Sequence, residues 1–213
     1  MTRYLATLLF AFSAVAIGSS GNISKVNSSI TVDRGQQAGD VSTVNGSITI
    51  GDDARVRDVE TVNGAIRLGQ RAQARGIEAV NGAITLAEDV LVSEDVSAVN
   101  GKLTLHRGAR VDGRLENVNG DFVIDGATVR GGLGTVNGDV RVGGGSLIDG
   151  GILVEKPSGW SWPKSERLPR VTIEAGAVVN GTLKFEREVE LQVADGAVVG
   201  PIEGVAPRRV PQP

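Results

Sequence analysis

Apolar residues return at every sixth position along much of this chain. Stepping by six from Val26 meets Val32, Ala38, Val44, Ile50, Val56, Val62, Leu68, Ala74, Val80, Leu86 and Val92, all of them apolar. With 40% of residues apolar, chance gives such a run on the order of once in 10^5 trials. The beat slips at Val99 and Val118 and continues through Leu105, Val111, Ile124, Val129, Val136, Val142, Ile148 and Val154. A helix face needs a period near 3.6. Six residues suit a short strand and a corner.

A longer repeat lies over the beat. Val-Asn-Gly recurs with Asn at 45, 63, 81, 100, 119 and 137, preceded by Asn27 and followed by Asn180. Successive spacings from Asn27 are 18, 18, 18, 19, 19 and 18. The frame reads Val-Asn-Gly-x-Ile-x-Ile, as in VNGSITI (44–50) and VNGAIRL (62–68). Eighteen residues hold about 60 Å of extended chain, three sides of roughly 20 Å. Coils then stack at the interstrand spacing of about 4.8 Å. The predicted fold is all-β, a single-stranded parallel β-helix of triangular coils, each burying its apolar residues on its neighbours.

The sides differ. The second carries inward pairs two apart, such as Ile48 with Ile50 and Ile66 with Leu68. The third pairs a small residue with a larger one, as in Ala54 with Val56. On the first side the beat places Val44, Val62 and Val80 inward. The steps of seven end at Val99, Val118 and Val136, so the extra residue belongs to the corner between third and first sides. Stacking sets Asn45, Asn63, Asn81, Asn100, Asn119 and Asn137 above one another as a structural amide ladder. The following glycine is expected to supply a corner with positive φ.

Five segments follow. Residues 1–20 read as a signal peptide: Arg3, an apolar run from Tyr4 to Ile17, and small residues at Ala14-Val15-Ala16 and Gly18-Ser19-Ser20. That run is short of the ~20 residues that span a bilayer, and no later stretch could span one, so the mature chain is expected to have no transmembrane segment. Residues 21–154 are solenoid coils. Residues 155–170 form a Trp- and Pro-rich loop, KPSGWSWPKSERLPR from Lys156. Register returns in 171–203 at Ile173, Val179, Phe185, Leu191 and Ala197. From Val154 to Ile173 there are nineteen residues where the beat needs twelve, a bulge of about seven. Residues 204–213 read as a disordered Pro-rich tail.

Composition narrows the chemistry. Cysteine is absent, which excludes disulfides and zinc–thiolate sites. The net charge of −3 argues against nucleic acid. His106 is the only histidine, which leaves little for histidine catalysis or metal binding. No cofactor is expected.

The tandem Val-Asn-Gly-x-Ile frame resembles a bacterial adhesin-type family of exported or membrane-linked β-solenoids. The six-residue beat is also similar to the bactofilins, polymer-forming right-handed β-helices that join end to end in the cytoplasm. These resemblances cover roughly residues 23–154 and 171–202 and imply a solenoid capable of self-association. The beat also resembles left-handed hexapeptide acyltransferases. Those prefer a small residue two places before each main apolar one, where this chain has Ile or Leu on the second side and Ser42, Glu60 or Glu78 on the first. A right-handed helix is therefore favoured over a left-handed one.

Sites follow from these expectations. His106 is a solvated corner histidine. Asp52, Asp53, Asp58, Glu60, Glu88, Asp89, Glu94 and Asp95 stand among Arg55, Arg57, Arg71 and Arg75, which reads as mixed-charge corners. The outward column Thr31, Thr49, Arg67, Thr85, Thr104, Val123, Arg141 is broken by arginines and makes no ice-binding array. Trp160 and Trp162, with Lys164 and Arg167, form a candidate loop for an envelope glycan or protein, through stacking and charge. The first coil, starting near Ile23, leaves an open edge that suggests end-to-end association. The expectation is an exported, non-enzymatic structural or adhesive element of a bacterial envelope, periplasmic or on the surface. The alternative is a polysaccharide-binding or polysaccharide-processing β-helix.

Overall fold

The computed structural model describes residues 21–157 and 167–209. The expected signal segment, Trp160, Trp162, Lys164 and residues 210–213 lie outside them. Among the described residues the chain forms 27 short strands and no helix. They assemble three parallel sheets, the sides of one solenoid. The first sheet has ten strands, from Ile23–Lys25 through Val41–Asn45 and Asp58–Asn63 to Ile202–Gly204. The second also has ten, from Ile30–Val32 and Ile48–Ile50 to Arg208–Arg209. The third has seven, from Gln73–Ala74 to Val198–Val199. Bridges Gln37–Arg55 and Arg55–Gln73 carry it toward the first coil.

Register is strict. Val41 pairs with Val59, Val59 with Ile77, Ile77 with Val96 and Val96 with Leu115, so each residue sits on its equivalent 18 or 19 positions earlier. Strands this short have no stability alone. Each coil donates its amides to the coils beside it, which satisfies the backbone even at the corners. Ile48 N–H, for example, donates to Ala65 at 2.9 Å.

The core is a column of inward pairs. Second-sheet pairs Ile48/Ile50, Ile66/Leu68, Ile84/Leu86 and Leu103/Leu105 are buried, as are third-sheet pairs Ala54/Val56 and Ala109/Val111. The first sheet departs from the six-residue beat. Its inward residues are Val41/Thr43, Val59/Thr61, Ile77/Ala79 and Val96/Ala98. Val44, Val62 and Val80 stand on the outer side and are half-buried, and Val99 is exposed. The true rhythm is pairs, not single positions. The valine follows the second inward residue of its strand, and alternation turns it outward. A uniform step of six is right on two sides and wrong on the third.

The Asn-Gly corner also differs from expectation. Gly46, Gly64, Gly82 and Gly138 have no positive φ, and Gly101 and Gly120, at 158° and 157°, are close to extended. Glycine is needed here for space. A Cβ on Gly64 would overlap the carbonyl oxygen of Gly46, and one on Gly82 that of Gly64. The left-handed column is at the corner between second and third sheets. It runs Gly35, Asp53, Arg71, Asp89, Gly108, Gly126, with φ of 69°, 58°, 57°, 59°, 75° and 61°. Three non-glycine residues hold it, and short polar Asp tolerates that conformation best.

Length changes fall partly where the sequence puts them. From Ala74 to Ile77 the corner between third and first sheets takes three steps; from Val92 to Val96 it takes four. The large insertion is longer than the beat suggests. Val154 stacks on Thr135, not Val136, and Ile173 stacks on Val142. Thr135 to Val142 is seven steps and Val154 to Ile173 nineteen, so twelve residues are added between first and second sheets. The expected tail begins too early, because Arg208–Arg209 pairs with Glu190–Leu191 and extends the second sheet.

The two faces of one strand give a direct check. In Asp58–Asn63, Val59→Ala opens a cavity in the column and should cost about 2 kcal/mol. Val62→Ala, on the outer side, should cost less than half of that. Paired thermal or urea unfolding of the variants distinguishes them, and equal losses would restore the uniform beat.

Candidate functional site

The asparagine column is the most regular polar feature of the molecule. Asn45 Nδ2 donates to Asn27 Oδ1 at 2.8 Å, Asn63 to Asn45 at 2.9 Å, and Asn81 to Asn63 at 3.0 Å. Asn100 donates to Asn81 at 2.9 Å, Asn119 to Asn100 at 3.0 Å, and Asn137 to Asn119 at 3.1 Å. Every amide points the same way, with hydrogens toward the N-terminal coil. Such aligned chains polarise one another. The last acceptor, Asn137 Oδ1, takes a hydrogen bond from Arg187 Nη1 at 2.8 Å, and the same nitrogen reaches Val136 O at 3.2 Å. A guanidinium closes the acceptor end with a charge-assisted bond. Arg187 carries no signal in the sequence, because the insertion hides which coil it faces.

A second polar row runs just inside the ladder. Thr43 Oγ1 donates to Ser28 O at 3.0 Å and Thr61 Oγ1 to Gly46 O at 3.1 Å. Asn117 Nδ2 takes the same place, 2.6 Å from Gly101 O. Its Oδ1 and the Oγ1 of Thr135, one coil on, are buried without partners. The side chains of Thr43, Thr61 and Asn117 thus hold the corner carbonyls of Ser28, Gly46 and Gly101 in the preceding coil.

The insertion leaves and rejoins the solenoid beside the ladder's closed end. Asp121, Asn137, Gly138, Asp139, Leu168 and Pro169 line a shallow depression there. Arg167, the described member of the candidate loop, is exposed and forms an ion pair with Asp139. Asp139 Oδ1 also accepts from Arg170 N at 3.0 Å, and Arg170 pairs with Glu190 at 2.9 Å. The rejoining strand is thus fastened by charge on both sides.

Charges elsewhere follow the stacking. Arg34 pairs with Asp52 at 3.2 Å, Arg57 with Asp40 at 3.0 Å, Arg71 with Asp53 at 2.7 Å, and Arg75 with Asp58. Of the corner acids, Asp52, Asp53 and Asp58 are therefore in coil-to-coil ion pairs, while Glu88 accepts from Gln70 Nε2 at 3.2 Å and Asp95 from Arg114 N at 2.7 Å. Glu60 is different: it stands on the outer face of the first sheet, directly paired in register with Glu78. Burial raises the pKa of both, with Glu78, Asp58 and Asp40 adding repulsion at Glu60 and Asp58 adding it at Glu78. A shallow acidic depression holds them with Asp58, Glu94, Asp95 and Arg75. Among the described residues no cluster of three or more His, Asp or Glu is placed to hold a metal ion. His106 is exposed at a corner. The outward column from Thr31 to Arg141 stacks in register as the sequence implies.

Comparison with known proteins finds no family model, no curated protein and no solved structure that matches the chain.

Cutting the ladder tests its worth. Asn81→Ala removes bonds to Asn63 and Asn100 and should cost about 1–2 kcal/mol. Asn81→Asp should cost more at neutral pH, because a carboxylate then faces Asn63 Oδ1, and the excess should vanish in acid. Chemical denaturation at two pH values reads both effects.

The acidic face sets a pH dependence. For Glu60 and Glu78 the folded pKa is above the ordinary 4.5, so their contribution is full below that value and lost as pH rises through the folded one. Asp53 and Asp112, lowered from 3.8 by hydrogen bonds from Arg71 and Arg110, contribute above 3.8 and lose it as pH falls through their folded values. Thermal midpoints should therefore rise as pH drops from neutrality toward 4.5 and fall below 3.8. The Glu60→Gln, Glu78→Gln double variant should flatten the first limb and leave the second.

Proposed function

We propose that this chain is an exported, non-enzymatic β-solenoid serving as a structural, adhesive or self-assembling element of a bacterial cell envelope. The observation that carries the reading is the pair of open sheet ends. Among the described residues, Ile23–Lys25 and Ile30–Val32 are hydrogen-bonded on one side only, as are Ile202–Gly204 and Arg208–Arg209 at the other end. Open edges are templates for further pairing. Val26 is exposed near the first end, and Val193, Val198 and Val205 near the second. A second copy stacked on either end would extend the sheets and bury these valines. Among the described residues the faces between the ends carry paired charges and shallow depressions. The resemblance to adhesin-type solenoids and bactofilins points the same way. The candidate loop at Trp160 and Trp162 would supply contact with a glycan or protein of the envelope. No helix among the described residues is long and apolar enough to cross a membrane.

Light scattering on the chain from residue 21 onward tests this. Molar mass should rise with concentration in the micromolar range. Val198→Lys with Val205→Lys should depress that rise without lowering the thermal midpoint. A strict monomer at all concentrations would remove self-assembly from the reading.

A further inference from the structure

Asn-Gly is the dipeptide most prone to intramolecular imide formation, because glycine leaves the following amide nitrogen unshielded. This chain has many such pairs, stacked in register, and the fold treats them unequally. In five the glycine amide is engaged. Gly46 N–H donates to Asn63 O at 3.0 Å, Gly64 to Asn81 at 2.9 Å, Gly82 to Asn100 at 2.9 Å, Gly101 to Asn119 at 3.1 Å, and Gly120 to Asn137 at 3.2 Å. The nucleophile of each pair is held in a bond to the next coil.

The sixth pair in the column, Asn137-Gly138, is released by the insertion. The next coil leaves the solenoid after Val154, which pairs with Thr135, and by that count the position of Asn137 falls at Lys156 instead of another Asn-Gly. Among the described residues Gly138 N–H has no backbone acceptor. It also lines the shallow depression beside the insertion and is half-buried. The side chain that would be attacked is polarised: Arg187 Nη1 lies 2.8 Å from Asn137 Oδ1 and is placed to hold the charge that develops there. Asn180-Gly181 gives an internal contrast. Among the described residues its glycine amide also lacks a backbone acceptor. Its side chain donates through Nδ2 to Asp149 Oδ1 at 2.8 Å, as Asn137 does to Asn119 at 3.1 Å, but among the described residues no cation reaches its Oδ1.

We infer that Asn137-Gly138 is a self-modification site, at which the ladder's terminal amide converts to aspartate or isoaspartate in the folded protein. Gly138 N bonds to Asn137 Cγ, and the Cγ–Nδ2 bond breaks. Nδ2 leaves as ammonia, taking the proton from Gly138. Water then opens the imide at either carbonyl, giving aspartate or isoaspartate. The product is an anion against Arg187, at the junction where the insertion joins the solenoid. The ladder loses its last donor to Asn119 and gains a salt link at its end. The five interior pairs are shielded for as long as the coils stay stacked.

Peptide mapping by mass spectrometry tests this on the folded chain from residue 21 onward, aged in mildly alkaline buffer. Acid and isoaspartate are quantified at each Asn-Gly. Asn137 should convert at least an order of magnitude faster than Asn45, Asn63, Asn81, Asn100 and Asn119, with Asn180 between. In concentrated urea all seven should converge on one rate, which shows that the fold makes the difference. Arg187→Gln should slow Asn137 to the rate of Asn180 and leave Asn180 unchanged. An Asn137 rate equal to the interior pairs in the folded chain, or a rank order that persists in urea, would overturn the inference. Faster conversion at Asn137 in the Arg187 variant would overturn the role given to the guanidinium.

Discussion

The backbone hydrogen bond between one coil and the next governs this molecule. Strands of two to six residues cannot persist alone. Each finds its partners only in the coils beside it, at one fixed spacing. That spacing forces every side chain onto its equivalent in the neighbouring coil, whether the pair attracts or not. Among the described residues aliphatic side chains stack into a core whose only large rings are Phe122 and Phe185. Asparagines stack into a ladder, glycines into a groove too narrow for a methyl, and arginines onto aspartates. Where like meets like, as at Glu60 and Glu78, the register holds, and burial together with repulsion from neighbouring acids raises the pKa of both carboxyls. Stability in such an array is nearly a sum of coil terms and nearest-neighbour terms. A fault in one coil is therefore felt chiefly by the two that touch it.

The architecture was legible because a repeat states its own geometry. Eighteen residues divided by three give short sides, and the recurrence of Asn at one phase predicts a ladder that the hydrogen bonds confirm from Asn27 to Asn137. The phase of the first sheet was harder to read. Val62 and Val59 are equally apolar, and a step of six chooses the one that lies in line with Val56 and Leu68. The choice fails because the inward unit is a pair two residues apart, and on that sheet its second member is a threonine or alanine. Thr43 and Thr61 look like surface residues in a sequence. They are buried because each hydroxyl has a carbonyl to bond one coil below. The glycine after Asn stands at the expected corner for a different reason, a close approach between coils, which leaves no trace in one chain's local pattern.

Features that join distant segments were not legible at all. Arg187 meets Asn137 across fifty residues, and the intervening insertion breaks the count that would align them. The same insertion conceals the pairing of Arg170 with Glu190 and the anchoring of Arg170 N on Asp139. A periodic sequence predicts its neighbours well and predicts poorly wherever the period stops.

The ladder has a direction, and its two tips are chemically opposite. At Asn27 the column ends in amide hydrogens with no acceptor among the described residues; at Asn137 it ends in an oxygen already claimed by a cation. Two molecules meeting first coil to first coil would bring hydrogen against hydrogen along this edge. Such a joint needs a bridging lone pair, from water or an anion, to be comfortable. Joining first coil to last brings the Asn27 hydrogens to a coil with no asparagine to receive them. The column can thus measure out the coils of one molecule, but it is finished at both tips and cannot thread through a chain of them.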